Sequence, residues 1–179
     1  MFQLTMFGGT EGELPLSNLF SFTMFGGAEF RAPTLARRLL HIRATKQRIP
    51  TVWERLFEFE RNTIITIFGG TEILLPTLVE ELGDLRSALR TQALPAGEAR
   101  ELLEELTRRG GTRDLYTAFT LFGACTLERP KADAERKALD LAQRSGMITA
   151  NERVELDGAI GRPLSEVVGV LERLALGAQ

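Results

Sequence analysis

A five-residue motif that recurs four times constrains the fold of this chain more than any other feature of its sequence. It reads TMFGG at 5–9 and again at 23–27, TIFGG at 66–70 and TLFGA at 120–124. Aligned on the phenylalanine, each copy has an apolar residue before the threonine and a proline eight residues after the phenylalanine. Internal repetition of this kind is typical of proteins built by stacking similar units.

The chemistry of the motif predicts a strand, a corner and a second strand in every repeat. Apolar residues that alternate with threonine, as in ITI at 65–67, have the two-residue period of a β-strand. The glycines then allow a left-handed corner or a close backbone approach, and the proline ends the second strand. The expected corner residues are Gly8, Gly9, Gly26, Gly27, Gly69, Gly70 and Gly123.

Stacked repeats would bury surface that a single repeat leaves exposed. We therefore predict a small β-solenoid-like stack in which equivalent side chains lie above one another. One internal ladder would consist of threonines, and another of Phe7, Phe25, Phe68 and Phe122. The alternative is an ordinary sheet of four strands with glycines at its turns. Identical residues at identical positions favour the stack.

The segments between the repeats predict helices. Both long intervals begin with Pro-Thr-Leu, at 33–35 and 76–78, and continue with apolar residues at helical spacing. Pro50 and Pro95 each mark the start of a second helix, so the insertions at 34–61 and 77–110 are expected to be helical hairpins. Residues 131–179 contain three further helical patterns. The predicted fold class is α+β, with a repeat domain over 1–130 that carries the two insertions and a helical module over 131–179.

The repeat pattern, as in TIFGGTEILLP at 66–76, resembles the units in the soluble domain of LiaF-like bacterial proteins, the cell-wall-active antibiotics response family. The tail is similar to the bacterial short C-terminal domain through Gly146, Ile148, Thr149 and Glu152. The resemblance covers the four repeats and the tail. It implies a role in interaction and stress signalling at the cell envelope, and it implies no catalysis.

Residues that could carry catalysis or hold a cofactor are scarce. The chain has one histidine and one cysteine, and it contains no phosphate-binding loop, nucleophile motif or spaced set of metal ligands. His41 is typical of a solvated or core histidine, and Cys125 of a small buried residue. Glu11, Glu29 and Glu72 could form a carboxylate ladder that holds a cation, but solvated glutamates are the favoured interpretation. We therefore predict no catalytic residue, no metal site and no bound cofactor.

A basic stretch lies within residues 36–55. Its candidate anion-binding residues are Arg37, Arg38, Arg43, Lys46 and Arg48. One interpretation is a surface for nucleic acid, phospholipid or an acidic partner. The favoured interpretation is a solvated helix face whose basic residues pair with the acidic run at 98–106. Because no base-reading helix is evident and the net charge is −2, nucleic-acid binding is the least favoured function.

The sequence predicts a non-enzymatic interaction or scaffold protein that self-associates. The first strand has no earlier repeat against its outer edge, and MFQLTM at 1–6 lacks the charge or proline that usually protects such an edge. A dimer through residues 1–15 is expected because the divergent fourth repeat and the tail would close the other end. The alternative is a cytoplasmic stress-response regulator that binds a signalling partner. A cytoplasmic location is expected because no targeting segment or membrane-spanning stretch is evident.

Overall fold

A computed structural model describes residues 2–14, 20–46, 62–108 and 116–177. These ranges contain eight strands and six helices, which confirms the predicted mixture of the two. The strands are β1 Phe2–Phe7, β2 Thr10–Glu13, β3 Phe20–Phe25, β4 Ala28–Arg31, β5 Asn62–Phe68, β6 Thr71–Leu74, β7 Tyr116–Phe122 and β8 Cys125–Glu128. The helices are α1 Leu35–Lys46, α2 Leu78–Arg90, α3 Ala96–Arg108, α4 Ala132–Arg144, α5 Ala150–Asp157 and α6 Leu164–Leu176.

The strands form two parallel sheets, and every repeat contributes one strand to each. One sheet has the order β1-β3-β5-β7, and the other has the order β2-β4-β6-β8. Equivalent positions pair throughout, so that Thr23 lies opposite Thr5 on one side and Thr66 on the other. The strands and corners thus lie where the repeat predicts them.

The glycine corners hold consecutive repeats in this register. Gly26 and Gly69 have φ angles of 137° and 142°, in the region that side chains disfavour. A Cβ atom added to Gly69 would also lie 2.2 Å from the carbonyl oxygen of Gly26, far inside van der Waals contact. Gly123 does not have a positive φ angle. A Cβ atom added to it would nevertheless lie 2.0 Å from the carbonyl oxygen of Gly69, so this position also requires glycine. The second, third and fourth corners therefore need glycine so that each can approach the corner before it.

Threonines and small apolar residues fill the space between the two sheets. Thr23, Thr66 and Thr71 are fully buried, as are the apolar side chains of Ile64 and Ile73. Buried threonine hydroxyls are paired, with 3.0 Å between the Oγ1 atoms of Thr66 and Thr71 across one corner and 3.1 Å between those of Thr10 and Thr23. A hydroxyl that is hydrogen-bonded in this way avoids most of the cost of burial. The buried Ser21 hydroxyl has no hydrogen-bond partner among the described residues.

The chain divides into two compact units, and the insertions group with the tail. One unit comprises residues 1–33, 43–75 and 112–128, and contains both sheets. The other comprises residues 34–42, 76–111 and 129–179, and contains the six helices apart from the last residues of α1. Its core is made mainly of leucines, including Leu39, Leu82, Leu103, Leu139, Leu156 and Leu171.

Carboxylates contribute to the caps of three helices. Thr77 and Thr149 open α2 and α5 with reciprocal capping boxes. At two helix starts, one N–H donor is satisfied by a neighbouring helix: Leu35 N–H donates to Glu81 at 2.7 Å, and Leu78 N–H donates to Glu135 at 3.1 Å.

Two predictions fall outside the described residues. The second helix of the first insertion, predicted from Pro50, lies there, and so does Arg48. Among the helices that are described, none is long and apolar enough to cross a membrane.

Replacement of Gly69 by alanine tests the corner geometry. Gly69→Ala places a Cβ against the Gly26 carbonyl at an unfavourable φ, so we expect a loss of about 3 kcal/mol or more in the free energy of unfolding. Gly12→Ala is the matched control in β2, because its Cβ would lie at an ordinary 4.0 Å from the Phe30 ring. Urea denaturation followed by circular dichroism measures both. A Gly69→Ala protein as stable as Gly12→Ala would contradict this account of the corner.

Candidate interaction surfaces

Four phenylalanine rings form a continuous stacked column. Centroids of successive rings are 5.3, 5.0 and 5.0 Å apart, and the ring planes lie within 7° of parallel. We call this column the aromatic ladder; its members are Phe7, Phe25, Phe68 and Phe122. The prediction that it is internal is wrong, because the four residues are 75%, 41%, 45% and 61% exposed in that order. Threonines occupy the interior beside the corner, and the rings lie on the surface.

Both ends of the aromatic ladder are open. The end rings, Phe7 and Phe122, are more exposed than the two between them, as expected for a column whose outer ring faces are uncovered. At the first end, a recess of about 390 Å³ is lined by Gln3, Leu4, Thr5, Gly9, Thr10 and Glu11. At the other end Ala124 and Cys125 are exposed.

The outward face of the β1-β3-β5-β7 sheet is apolar. Along β5, Ile64 and Thr66 are buried whereas Ile65 and Ile67 are partly exposed, so the second pair points outward. The outward row nearest the corners consists of Met6, Met24, Ile67 and Leu121, and Leu4, Phe22 and Ile65 lie in the next. We call these seven residues the apolar face. The repeat contained the signal for it, since apolar residues flank every internal threonine.

The outward face of the other sheet is charged. Glu11, Glu29 and Glu72 are exposed and pair in register along β2, β4 and β6. In β8 the equivalent position is Thr126. No group of three side chains that could hold a metal ion is found in the part of the chain that the structure describes.

The candidate anion-binding residues do not share one exposed surface. Arg37 is exposed and lies 3.6 Å from Asp84, whereas Arg38 is only 3% exposed. Arg43 is partly buried and belongs to the other compact unit. Lys46 ends α1, and its side chain is not described. One ion-pair partner of Arg37 therefore lies on α2.

The single histidine and the single cysteine belong to different compact units. His41 is partly buried on α1. Cys125 is exposed, so the prediction that it is buried is wrong; it lies on β8, the last strand of its sheet among those described. Desolvation raises the pKa of the Cys125 thiol, which lowers the fraction of reactive thiolate.

The sequence did not mark two carboxylates as distinctive, the partly buried Glu81 and the buried Glu135. Glu81 accepts the Leu35 N–H, and its neighbour Asp84 accepts the Thr34 hydroxyl at 2.7 Å. Desolvation raises the pKa of Glu81 to about 8, although the Leu35 hydrogen bond and the charge of Arg38 act in the opposite direction. Desolvation likewise raises the pKa of Glu135. Both glutamates occupy the fourth position of a helix that follows a repeat proline, which is the sequence signal for this role.

No protein-family model, curated protein sequence or solved structure matches this chain. The interpretation of its surfaces therefore depends on their own geometry and chemistry.

The raised pKa of Glu81 predicts that stability falls as pH rises. Between its ordinary pKa of 4.5 and about 8, the folded chain retains a proton that the unfolded chain has lost. The free energy of unfolding should thus fall by up to about 1.4 kcal/mol per pH unit through this group, and Glu135 adds to the same trend. Glu81→Gln should flatten the profile, as measured by urea denaturation from pH 5 to 8.

Glu152→Gln is the control for this experiment. The hydrogen bond from Thr149 N–H and the contact with Arg86 outweigh desolvation and lower the pKa of Glu152. Its contribution is therefore constant above pH 5, and the variant should keep the wild-type slope. Identical slopes for wild type and Glu81→Gln would show that Glu81 is ionised in the folded chain.

Proposed function

We propose that this protein is a non-enzymatic scaffold that self-associates through the first-repeat end of a β-solenoid-like stack. The observation that carries the proposal is the open end of an in-register stack. Equivalent residues pair across all four repeats, and β1 and β2 end their sheets at residues 2–13 with no further strand among those described. A surface that pairs with one copy of the repeat is suited to pair with another.

Backbone chemistry at this end supports the proposal. Gly8 N–H donates to the carbonyl oxygen of Phe25 on β3 at 2.9 Å. Because the N–H groups of successive residues in a strand point to opposite sides, those of Thr5 and Phe7 point away from β3. The exposed side chains of β1 include neither charge nor proline, the usual protection of an edge strand. A second chain would satisfy the outward N–H groups.

Differences between the two ends favour a symmetric dimer over continued stacking. At the far end, Ala124 and Thr126 replace the glycine and glutamate of the earlier repeats. The first end keeps the repeat consensus through Gly9 and Glu11. A contact between two first ends is self-complementary and closes, whereas a contact between unlike ends would propagate.

The family resemblance implies an alternative, in which a cytoplasmic regulator of envelope stress binds a signalling partner through the tail or the basic helix. Such a regulator would be monomeric when purified and would gain its contact only with the partner. Nucleic-acid binding has less support, because Arg38 is buried and Arg37 pairs with Asp84. Any such binding should be weak and strongly dependent on salt.

Proline at the outer edge of β1 tests the proposal. Thr5→Pro removes an outward N–H without removing a hydrogen bond to β3, so we expect it to lower the assembly mass at micromolar protein concentration. Thr5→Val is the matched control. It also loses the hydroxyl contact to Thr10 at 3.0 Å but keeps the N–H, and should assemble as wild type does. Size-exclusion chromatography with light scattering measures both.

Two results would contradict the proposal. A wild-type chain that is monomeric at these concentrations would show that the first end is not an assembly contact. A Thr5→Pro protein, or one lacking residues 1–15, that keeps the wild-type mass would place self-association elsewhere on the molecule.

A further inference from the structure

We propose that the apolar face of the β1-β3-β5-β7 sheet is a second assembly surface, and that its partner is the same face of another copy of this chain. This contact is separate from the first-repeat end and extends the self-association proposed above. The two sheet faces would pack in the manner of a β-sandwich.

The composition of the apolar face distinguishes it from ordinary protein surface. Its described side chains carry no formal charge, and Leu4, Met6 and Leu121 are 62%, 55% and 56% exposed. Parallel sheets normally have both faces covered by other structure, and an exposed apolar face on such a sheet is therefore unusual.

The exposed area of the apolar face reaches the size that monomeric proteins rarely leave uncovered. At about 200 Å² for a fully exposed large side chain, Leu4, Met6 and Leu121 together expose roughly 350 Å², and the partly exposed residues between them add to this area. Monomeric proteins rarely leave apolar patches larger than about 300–600 Å² uncovered. The face is therefore large enough to form the centre of an interface, of which each partner ordinarily buries about 800 Å².

Charge identifies which face is covered and what covers it. Glu11, Glu29 and Glu72 make the outward face of the other sheet acidic, so that face is suited to water. The apolar face offers no charge to select nucleic acid, an acidic peptide or a lipid headgroup. Its side chains instead repeat in rows at the strand spacing of about 4.8 Å. A second copy presents rows of the same spacing, which can interdigitate with them.

Two contacts on one chain have a consequence for assembly size. The first-repeat ends join copies in pairs, and the apolar faces join copies in different pairs. A chain that uses both contacts forms assemblies larger than a dimer, and loss of either contact leaves a dimer.

A charge on the apolar face, far from the first-repeat end, tests this surface. Leu121 lies on β7, and its exposure lets a glutamate there remain solvated in the isolated chain, so Leu121→Glu should fold normally. Ile67→Glu is a second variant in the middle of the face. Glu29→Gln is the control on the acidic face. Light scattering at micromolar concentration gives the mass, and circular dichroism confirms folding.

We expect a wild-type mass above that of a dimer. Leu121→Glu and Thr5→Pro should each lower it to the dimer, and the double variant should be a monomer, while Glu29→Gln keeps the wild-type mass. A Leu121→Glu protein with the wild-type mass overturns the face contact, and the face is then covered by another partner or by other residues of the chain. If Thr5→Pro keeps the wild-type mass while Leu121→Glu lowers it, the end contact alone is overturned.

Discussion

The close approach of consecutive glycine corners is the constraint on which the rest of the repeat unit depends. An added Cβ at Gly26, Gly69 or Gly123 would lie 2.0 to 2.2 Å from the carbonyl oxygen of the preceding corner. No other residue fits there, and the chain must turn at the same position in every repeat. Once the corners coincide, the strands that leave them pair in register, and every side chain lies beside its equivalent. The buried threonines, the aromatic ladder and the row of glutamates all follow from this single alignment.

Register turns a short motif into surfaces with different chemistry. Because each position forms a row, an apolar residue that points outward becomes an apolar stripe, and an outward glutamate becomes an acidic stripe. The unit thus has one apolar face, one acidic face and two open ends, of which the first keeps the repeat consensus. In the helical unit, α2 and α4 each follow a repeat proline and carry a glutamate at their fourth position. Glu81 of α2 caps α1, and Glu135 of α4 caps α2.

The repeats could be predicted from sequence because the motif states both period and register. Thr23 and Thr66 lie opposite each other, and Gly69 turns the chain at positive φ, as a strand-corner-strand unit requires. The exposure of Phe68 and Cys125 could not be predicted in this way. Whether a corner residue faces inward depends on the path of the turn, and whether a terminal strand is covered depends on contacts distant in sequence. The helix caps made by Glu81 and Glu135 were missed for the same reason, since donor and acceptor lie on different helices.

Disulfide trapping between neighbouring strands tests the in-register stack most directly. In a Cys125→Ser background, cysteines at positions 29 and 72 would occupy paired positions on β4 and β6. Paired residues on adjacent strands lie about 4.8 Å apart, within the range that a disulfide spans. Cysteines at 29 and 126 are the control, because both pair with position 72 but β6 lies between β4 and β8 and separates them by about 10 Å. Mild oxidation should give an intrachain disulfide, seen by mass spectrometry of the denatured chain, in the first protein and not in the second. A first protein that stays reduced, or a second that oxidises as readily, would contradict the stacked register.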